Sequence, residues 1–492
     1  MKATYFIIGI AFSHVATCGC PFADLAKRSG GLTEDDRAKL EQVRRDPSQA
    51  EALFKAHQAK KRAPTPQPQG GIIGPILGGV LDLPLGGGLR KLPAFVGVRS
   101  IIDIHGPVNG VLQPLTGALA AIDLPTPQPQ GLQEIPGDDP DHQFQAPGPT
   151  DIRGVCPTLN ALANHGYISR DGITSFAQAA NAVQTGYGFD FSLSVFLSAV
   201  GLMAGGDLAT GKYTIAGRDA RVPDTLGPAG GLDKHGVFEI DGSVTRQDVH
   251  FGNNANFLEQ RWDEYVAEAN EHDGEFGFDT QAQDNGLRYD NSIKTNPDFF
   301  AGAIWFIVSH AERVFVYAGL ANGTTGKADY DNVAPFFLNE TFPANWYRRG
   351  VPFTLPQAIQ QAGAMFLANP RALGGNQGVG NFVPIDIASD PSNIANAPAE
   401  LGCFVLENLL DVAPNQLDPL IYDNFELFTG FIKGVIAPFF INDGYFNCPA
   451  ALEFTKPGEN AGESGGSVSS SGSPVDGAYP GIGIIAPDSQ PS

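Results

Sequence analysis

Residues 141–455 carry apolar and polar positions in a mostly helical pattern, with helices predicted over Asn181–Met203, Asn256–Asn270, Phe299–Tyr317 and Leu355–Leu367. The flanks read differently. A charged helical segment is expected over 20–62, where Thr33 is placed to cap a helix opening on Glu34, Asp35 and Asp36, and Leu40, Val43 and Leu53 give a thin apolar stripe. It ends on Lys60-Lys61-Arg62, which makes it a candidate propeptide as well as a solvated linker helix. Residues 63–140 are rich in Pro and Gly and repeat one heptapeptide, at Pro64–Gly70 and Pro125–Gly131. Between the copies no helical or strand period is sustained, so an irregular extension lying on the main domain or partly mobile is expected. Residues 456–492, with a Ser/Gly-rich run from Ser464 to Ser473, read as a disordered tail.

The pattern also bears on location. Met1-Lys2 is followed by an apolar run to Phe12 and small residues near Ala16-Thr17-Cys18, which reads as a secretory signal peptide over 1–19. That run is too short to span a bilayer, and no later segment has about twenty unbroken apolar residues, so no stable membrane insertion is expected. The chain has 492 residues and a net charge of −22, which argues against nucleic acid and anionic membranes as partners. Asn322-Gly323-Thr324 and Asn339-Glu340-Thr341 are glycosylation sequons, in keeping with a secreted glycoprotein.

Of the five cysteines, Cys156 has the most informative surroundings. Pro157 suits the first turn of a helix, and Leu159, Leu162 and Ala163 continue it as an apolar stripe. A thiol just ahead of a helix feels the positive end of its dipole, which favours the thiolate, and a thiolate can ligate haem iron. Cys-Pro also occurs at Cys20 and Cys448, so the pair alone does not separate an iron ligand from a buried, inert cysteine.

Three blocks add to it. Residues 151–172, DIRGVCPTLNALANHGYISRDG, resemble the proximal segment of the fungal haem-thiolate peroxidases, the family of chloroperoxidase and the unspecific peroxygenases. Residues 231–254, from Gly231-Leu232-Asp233 through Glu239-Ile240-Asp241-Gly242-Ser243 to Asn253-Asn254, resemble that family's acidic metal-site motif and the stretch after it. Residues 291–299 resemble the lead into its distal helix. The blocks keep the family's order, and the long peroxygenases are the nearer branch.

The resemblance implies a mainly α fold: a single helical haem-peroxidase domain of the chloroperoxidase type over 141–455, behind the Pro/Gly-rich extension. It implies haem b held by Cys156, and magnesium held by Glu239, the Ile240 carbonyl and Ser243; oxygen ligands of this kind suit magnesium. It implies Glu312 as the catalytic acid–base group, a disulfide between Cys403 and Cys448, and a substrate pocket formed by Phe189, Leu193, Phe196, Leu197, Phe238, Trp305, Val308, Ala311 and Phe315.

The chain departs from the family at the partner of Glu312. Trp305 stands seven positions earlier, where long peroxygenases carry an arginine, and Ile240 stands where short members carry a histidine. His310 is two residues from Glu312, about 200° around a helix, and is expected to face away. The expected activity is hydrogen-peroxide-driven oxygenation or oxidation of small apolar or aromatic substrates. The competing expectation is a haem-binding member with weak or no peroxygenase activity, because the partner of Glu312 is missing.

Overall fold

A computed structural model describes residues 112–225, 229–236, 238–384, 395, 397–409, 425–441 and 444–449. The signal peptide over 1–19, the charged segment over 20–62, the larger part of the Pro/Gly-rich extension and the tail over 456–492 lie outside the described residues.

Ten α-helices are the main regular structure of the described chain, with seven strands of two or three residues each. The helices are α1 (Pro157–Asn164), α2 (Phe176–Tyr187), α3 (Phe191–Gly205), α4 (Glu259–Asn270), α5 (Phe278–Thr295), α6 (Ala303–Gly319), α7 (Tyr330–Asn339), α8 (Leu355–Ala368), α9 (Pro398–Glu407) and α10 (Phe425–Phe431). The last runs on into a π-helical turn, Ile432–Ile436. The fold is the expected mainly helical domain.

The single helix expected over Asn181–Met203 is two. Gly188 closes α2 in the left-handed region at φ 66°, and Asp190 caps α3 by accepting from the Leu193 N–H. A Cβ at Gly188 would lie 2.8 Å from Arg349 Cγ, so both φ and space call for glycine there. Helix α3 is apolar all round and buried along nearly its whole length, the pattern of a helix surrounded by others. Helix α6 begins at Ala303 rather than Phe299, because Phe300–Ala301 forms a strand paired antiparallel with Gly374–Asn376. Helix α8 opens on a capping box: Thr354 accepts from the Gln357 N–H and the Gln357 side chain accepts from the Thr354 N–H.

Part of the extension belongs to this body. Gln133–Glu134 pair antiparallel with Tyr347–Arg348, and the Thr126 and Gln128 N–H groups donate to Asn181 and Gln184 of α2. Residue 141 therefore does not mark the edge of the packed structure. Near the other end, Cys403 of α9 and Cys448 are joined as a disulfide, Sγ–Sγ 2.08 Å. A cross-link closing a loop of this length contributes about 3–4 kcal/mol in the chain-entropy description.

Candidate active site

An interior cavity of ≈ 270 Å³ lies among α1, α2, α3, α6 and the loop between the strand Lys212–Thr214 and α4. Cys156 and Glu312 both line it, together with Glu239, Ile240 and Ser243.

Cys156 is the N-cap of α1, in extended conformation at φ −89° and ψ 106°, with Pro157 in the first turn. Its Sγ lies 3.1 Å from Thr158 Oγ1. Burial pushes the thiol's pKa up, and the Thr158 hydroxyl and the N–H groups of Leu159 and Thr158 pull the other way. The helix N-terminus thus acts in the expected direction, but burial is the larger effect in the protein alone.

The loop before Cys156 is fixed through its backbone. The Val155 N–H donates to Asp233 Oδ1 at 2.8 Å, and the Gly154 N–H donates to Asn160 Oδ1 at 3.0 Å. Arg246 donates from Nε to the Val155 carbonyl at 3.0 Å and from Nη1 to the Ala255 carbonyl at 2.7 Å. Gly154 is forced by space: a Cβ there would lie 2.0 Å from the Ile215 carbonyl oxygen and 2.5 Å from Asp233 Oδ1. Burial pushes the Asp233 carboxyl up to about 7, against the Val155 N–H and the Arg246 charge. Asp233 and Arg246 stand in the block 231–254, but the resemblance assigns them no role. Their part is visible only once residues some 80–90 positions apart are brought together.

Glu312 sits on α6 with Val308, Ala311 and Phe315, and all four line the cavity. Positions 308, 311, 312 and 315 are spaced to share one helical face. Its Oε1 is buried with no hydrogen-bond partner. Burial pushes the carboxyl up to about 7; the Arg313 charge lowers it, and Glu239 and Asp284 raise it. His310, buried two residues earlier, turns its Nδ1 to the Phe306 carbonyl at 2.8 Å and is held neutral by burial, its pKa down to about 4.

Of the residues expected in the substrate pocket, Phe189, Phe196, Leu197, Phe238, Val308, Ala311 and Phe315 line the cavity. Two do not. Leu193 is buried in the core away from the cavity wall. Trp305 packs on Tyr289, Phe299 and His310 and donates from Nε1 to the Asp241 carbonyl at 3.0 Å. It therefore adds no bulk to the pocket. Seven residues along a helix return to nearly the same angle, and Ile304, Ile307 and Val308 line the cavity at this end of α6, but the Trp305 indole is turned aside to the Asp241 carbonyl.

Glu239 Oε2 accepts from Asn254 Nδ2 at 2.6 Å and meets His235 Nδ1 at 2.8 Å, while its Oε1 and Ser243 Oγ are buried without a hydrogen-bond partner. Burial disfavours a charge on His235, but Asp241 and Glu239 outweigh it and hold its pKa at about 9. Among the described residues no three or more His, Cys, Asp or Glu side chains gather around a metal position.

The two sequons differ. Asn339 is exposed at the end of α7. Asn322 is buried, its Nδ2 donating to the Asn345 carbonyl at 3.1 Å and its Oδ1 accepting from Thr324. No described helix is long and apolar enough to cross a membrane.

The residues present fit a haem. The cavity is walled by apolar side chains, a thiol enters it from a helix N-terminus, and it holds three buried oxygens that make no hydrogen bond, Glu239 Oε1, Ser243 Oγ and Glu312 Oε1. Lone buried acceptors of this kind are costly unless something occupies the cavity beside them.

The family model for Peroxidase, family 2, matches residues 142–351, which include every cavity element named above. An aromatic peroxygenase of Coprinellus radians is 36% identical over 223 residues, covering 43% of this chain and 84% of that protein. An aromatic peroxygenase of Cyclocybe aegerita is 32% identical over 288 residues, 57% of this chain and 74% of that protein. The chloroperoxidase of Leptoxyphium fumago is 28% identical over 308 residues, 56% and 78% of the two chains.

Proposed function

The chain belongs to peroxidase family 2, a haem-dependent family of peroxide-driven oxidoreductases, and we propose that it is a secreted haem-thiolate peroxygenase acting on small apolar or aromatic compounds. The observation that carries this reading is that Cys156 and Glu312 line one cavity whose other walls are largely aromatic and aliphatic.

Cys156 would hold the iron from the N-terminus of α1. When bound, haem supplies the redox centre at which peroxide is cleaved and from which a substrate is oxidised. The chain's own part is to handle protons, orient the substrate and exclude water. Glu312, ionised, accepts a proton from the peroxide oxygen and, once protonated, returns it to the oxygen that leaves as water. A carboxyl held near pH 7 suits both halves of that transfer. Phe189, Phe196, Phe238 and Phe315 present faces and edges on which an aromatic or apolar molecule can pack.

Magnesium at Glu239 Oε1, the Ile240 carbonyl and Ser243 Oγ is supported by the two orphaned side-chain oxygens. The His235 imidazolium competes with it for the charge of Glu239. Elemental analysis decides: magnesium in the purified protein, lost on Glu239→Gln, supports the site, and a metal-free protein removes it.

The test of the main reading has two arms. The reduced, carbon-monoxide-bound protein should show the red-shifted Soret band of thiolate ligation, and Cys156→Ala should abolish it; persistence of the band rejects Cys156 as the ligand. Peroxide-driven oxygenation of an aromatic probe should fall sharply in Glu312→Gln. A parent protein that binds haem yet turns over no probe would establish the second reading, a haem binder of little activity.

A further inference from the structure

Glu312 has a cation beside it that helix spacing hides. Arg313, the next residue, is fully buried, and its Nε lies 3.8 Å from Glu312 Oε1. Adjacent helical residues diverge by about 100°, so the two share no face; only the length of the arginine brings its guanidinium back along the helix. Its Nη1 donates to Asp284 Oδ2 of α5, while Nε and Nη2 have no hydrogen-bond partner. Asp284 is itself fully buried, and its Oδ1 lies 3.5 Å from Arg288 Nε, one turn on along α5. Arg288 pairs in turn with Glu264 of α4, whose side chain is 44% exposed. A line of alternating charges thus runs from the cavity wall to the surface, and Glu312 is its inner end.

We propose that Arg313, clamped by Asp284, is the positioning residue for Glu312, holding one carboxylate oxygen and setting the pH at which this carboxyl exchanges its proton. It takes over the electrostatic part that Trp305 and Ile240 cannot supply. The inference rests on the reading of Glu312 as the acid–base group. Two observations carry it. The Arg313 nitrogen nearest Glu312 is one of the two left without a hydrogen bond, and the facing oxygen, Glu312 Oε1, is unpartnered as well. A salt bridge serving only to tie α5 to α6 would need Asp284 alone.

The charged groups acting on Glu312 are Arg313 on its own helix, Glu239 on the loop ahead of α4 and Asp284 on α5. His310 is turned away to Phe306. Cys156, Arg246, Tyr187 and Tyr213 also line the cavity. Removing the cation therefore leaves Glu312 facing two carboxylates, and its proton should leave at higher pH.

The experiment uses the full-length holoenzyme. The infrared carbonyl band of the protonated Glu312 carboxyl, identified by its absence in Glu312→Gln, is titrated against pH beside the pH–rate profile of peroxide-driven turnover. Arg313→Gln combined with Asp284→Asn removes the buried pair without leaving a lone charge. In that double variant Glu312 keeps only the Glu239 carboxylate, and because the Arg313 charge outweighs that of Asp284, both the infrared midpoint and the acid limb of the profile should move up, by less than the ~1–3 pH units that loss of one adjacent cation alone would give. Arg313→Lys should return them towards the parent. Asp284→Asn alone, which keeps the cation and removes an anion, should move them down; if it does not fold, the double variant decides. A double variant that folds with an unmoved infrared midpoint overturns the proposal and leaves Arg313 as a helix tie. Should Glu312→Gln keep full turnover, the acid–base reading fails, and the infrared midpoint still tests the pairing.

Discussion

The cavity wall that carries Cys156 and the wall that carries Glu312 are built by different means. Around Cys156 the chain is held by its backbone: the Val155 N–H on Asp233, the Gly154 N–H on Asn160 and the Val155 carbonyl on Arg246. Around Glu312 the backbone is an ordinary helix, and what distinguishes the site is side chains, three apolar neighbours and one buried cation. A wall fixed by backbone contacts positions its ligand atom to within the tolerance of short hydrogen bonds. A wall fixed by side chains leaves its functional group free to exchange a proton and adjust. The first arrangement suits a permanent bond to a metal, the second a group that changes charge in each turnover.

The sharpest break of this contrast is Glu312→Gln. It should lower peroxide-driven turnover by about 10²–10⁴-fold while leaving the thiolate-type carbon-monoxide spectrum in place, because only one wall is touched. Gly154→Ala strikes the other wall. With a Cβ placed 2.0 Å from the Ile215 carbonyl, the variant should lose about 3 kcal/mol in chemical denaturation and retain less haem. Arg246→Leu removes donors to the Val155 and Ala255 carbonyls and should cost about 1.5–3 kcal/mol, with a shifted Soret maximum as the mark of a displaced thiolate. An unchanged spectrum would show that the backbone clamp does not depend on Arg246.

Next in size is the pH dependence. Turnover should rise as pH increases through about 7, where Glu312 loses its proton and becomes a base. Stability should respond with the opposite sign. A carboxyl whose folded pKa lies above its unfolded value binds more protons in the folded state, so this group favours folding at low pH and loses that contribution as pH rises towards 7. Thermal melts of the parent and Glu312→Gln across pH 5 to 8 check it. The smallest effect is expected for Leu197→Ala, which widens an apolar stretch of the cavity and should shift preference towards bulkier aromatic substrates with little change for small ones.

Much of the molecule is legible in the sequence. The mainly helical character of the described chain, the Cys156-Pro157 helix start and the cavity-facing set at 308, 311, 312 and 315 follow from local spacing and from resemblance. The break between α2 and α3 is also written in the chain, as Gly188 followed by Asp190, a helix stop and a helix start, but the apolar pattern continues through it and masks it. Trp305 misleads for a different reason. Its neighbours Ile304 and Val308 line the cavity, but a helical period does not say that the indole itself turns aside to the Asp241 carbonyl. Arg313 is invisible to spacing, since only a long side chain can turn back towards its neighbour's face. Nor can the burial of Asn322 be read from a sequon, which records three residues and not the turn that closes over them.

One consequence of the α6 register concerns insertions and deletions. Glu312 and Arg313 are consecutive, of opposite charge, and directed to different surroundings, cavity and protein interior. Losing one residue between Gly302 and Glu312 with the helix start held would rotate every later position by about 100° and bring the guanidinium to the place of the carboxylate. The cavity wall would then offer a fixed positive charge that cannot take up a proton, Glu312 would move to the place of Ala311, and Asp284 would lose its cation and face Val314. Point substitutions can tune this helix by degrees, whereas losing one residue brings a cation to the cavity and leaves a buried carboxylate without one at the same time.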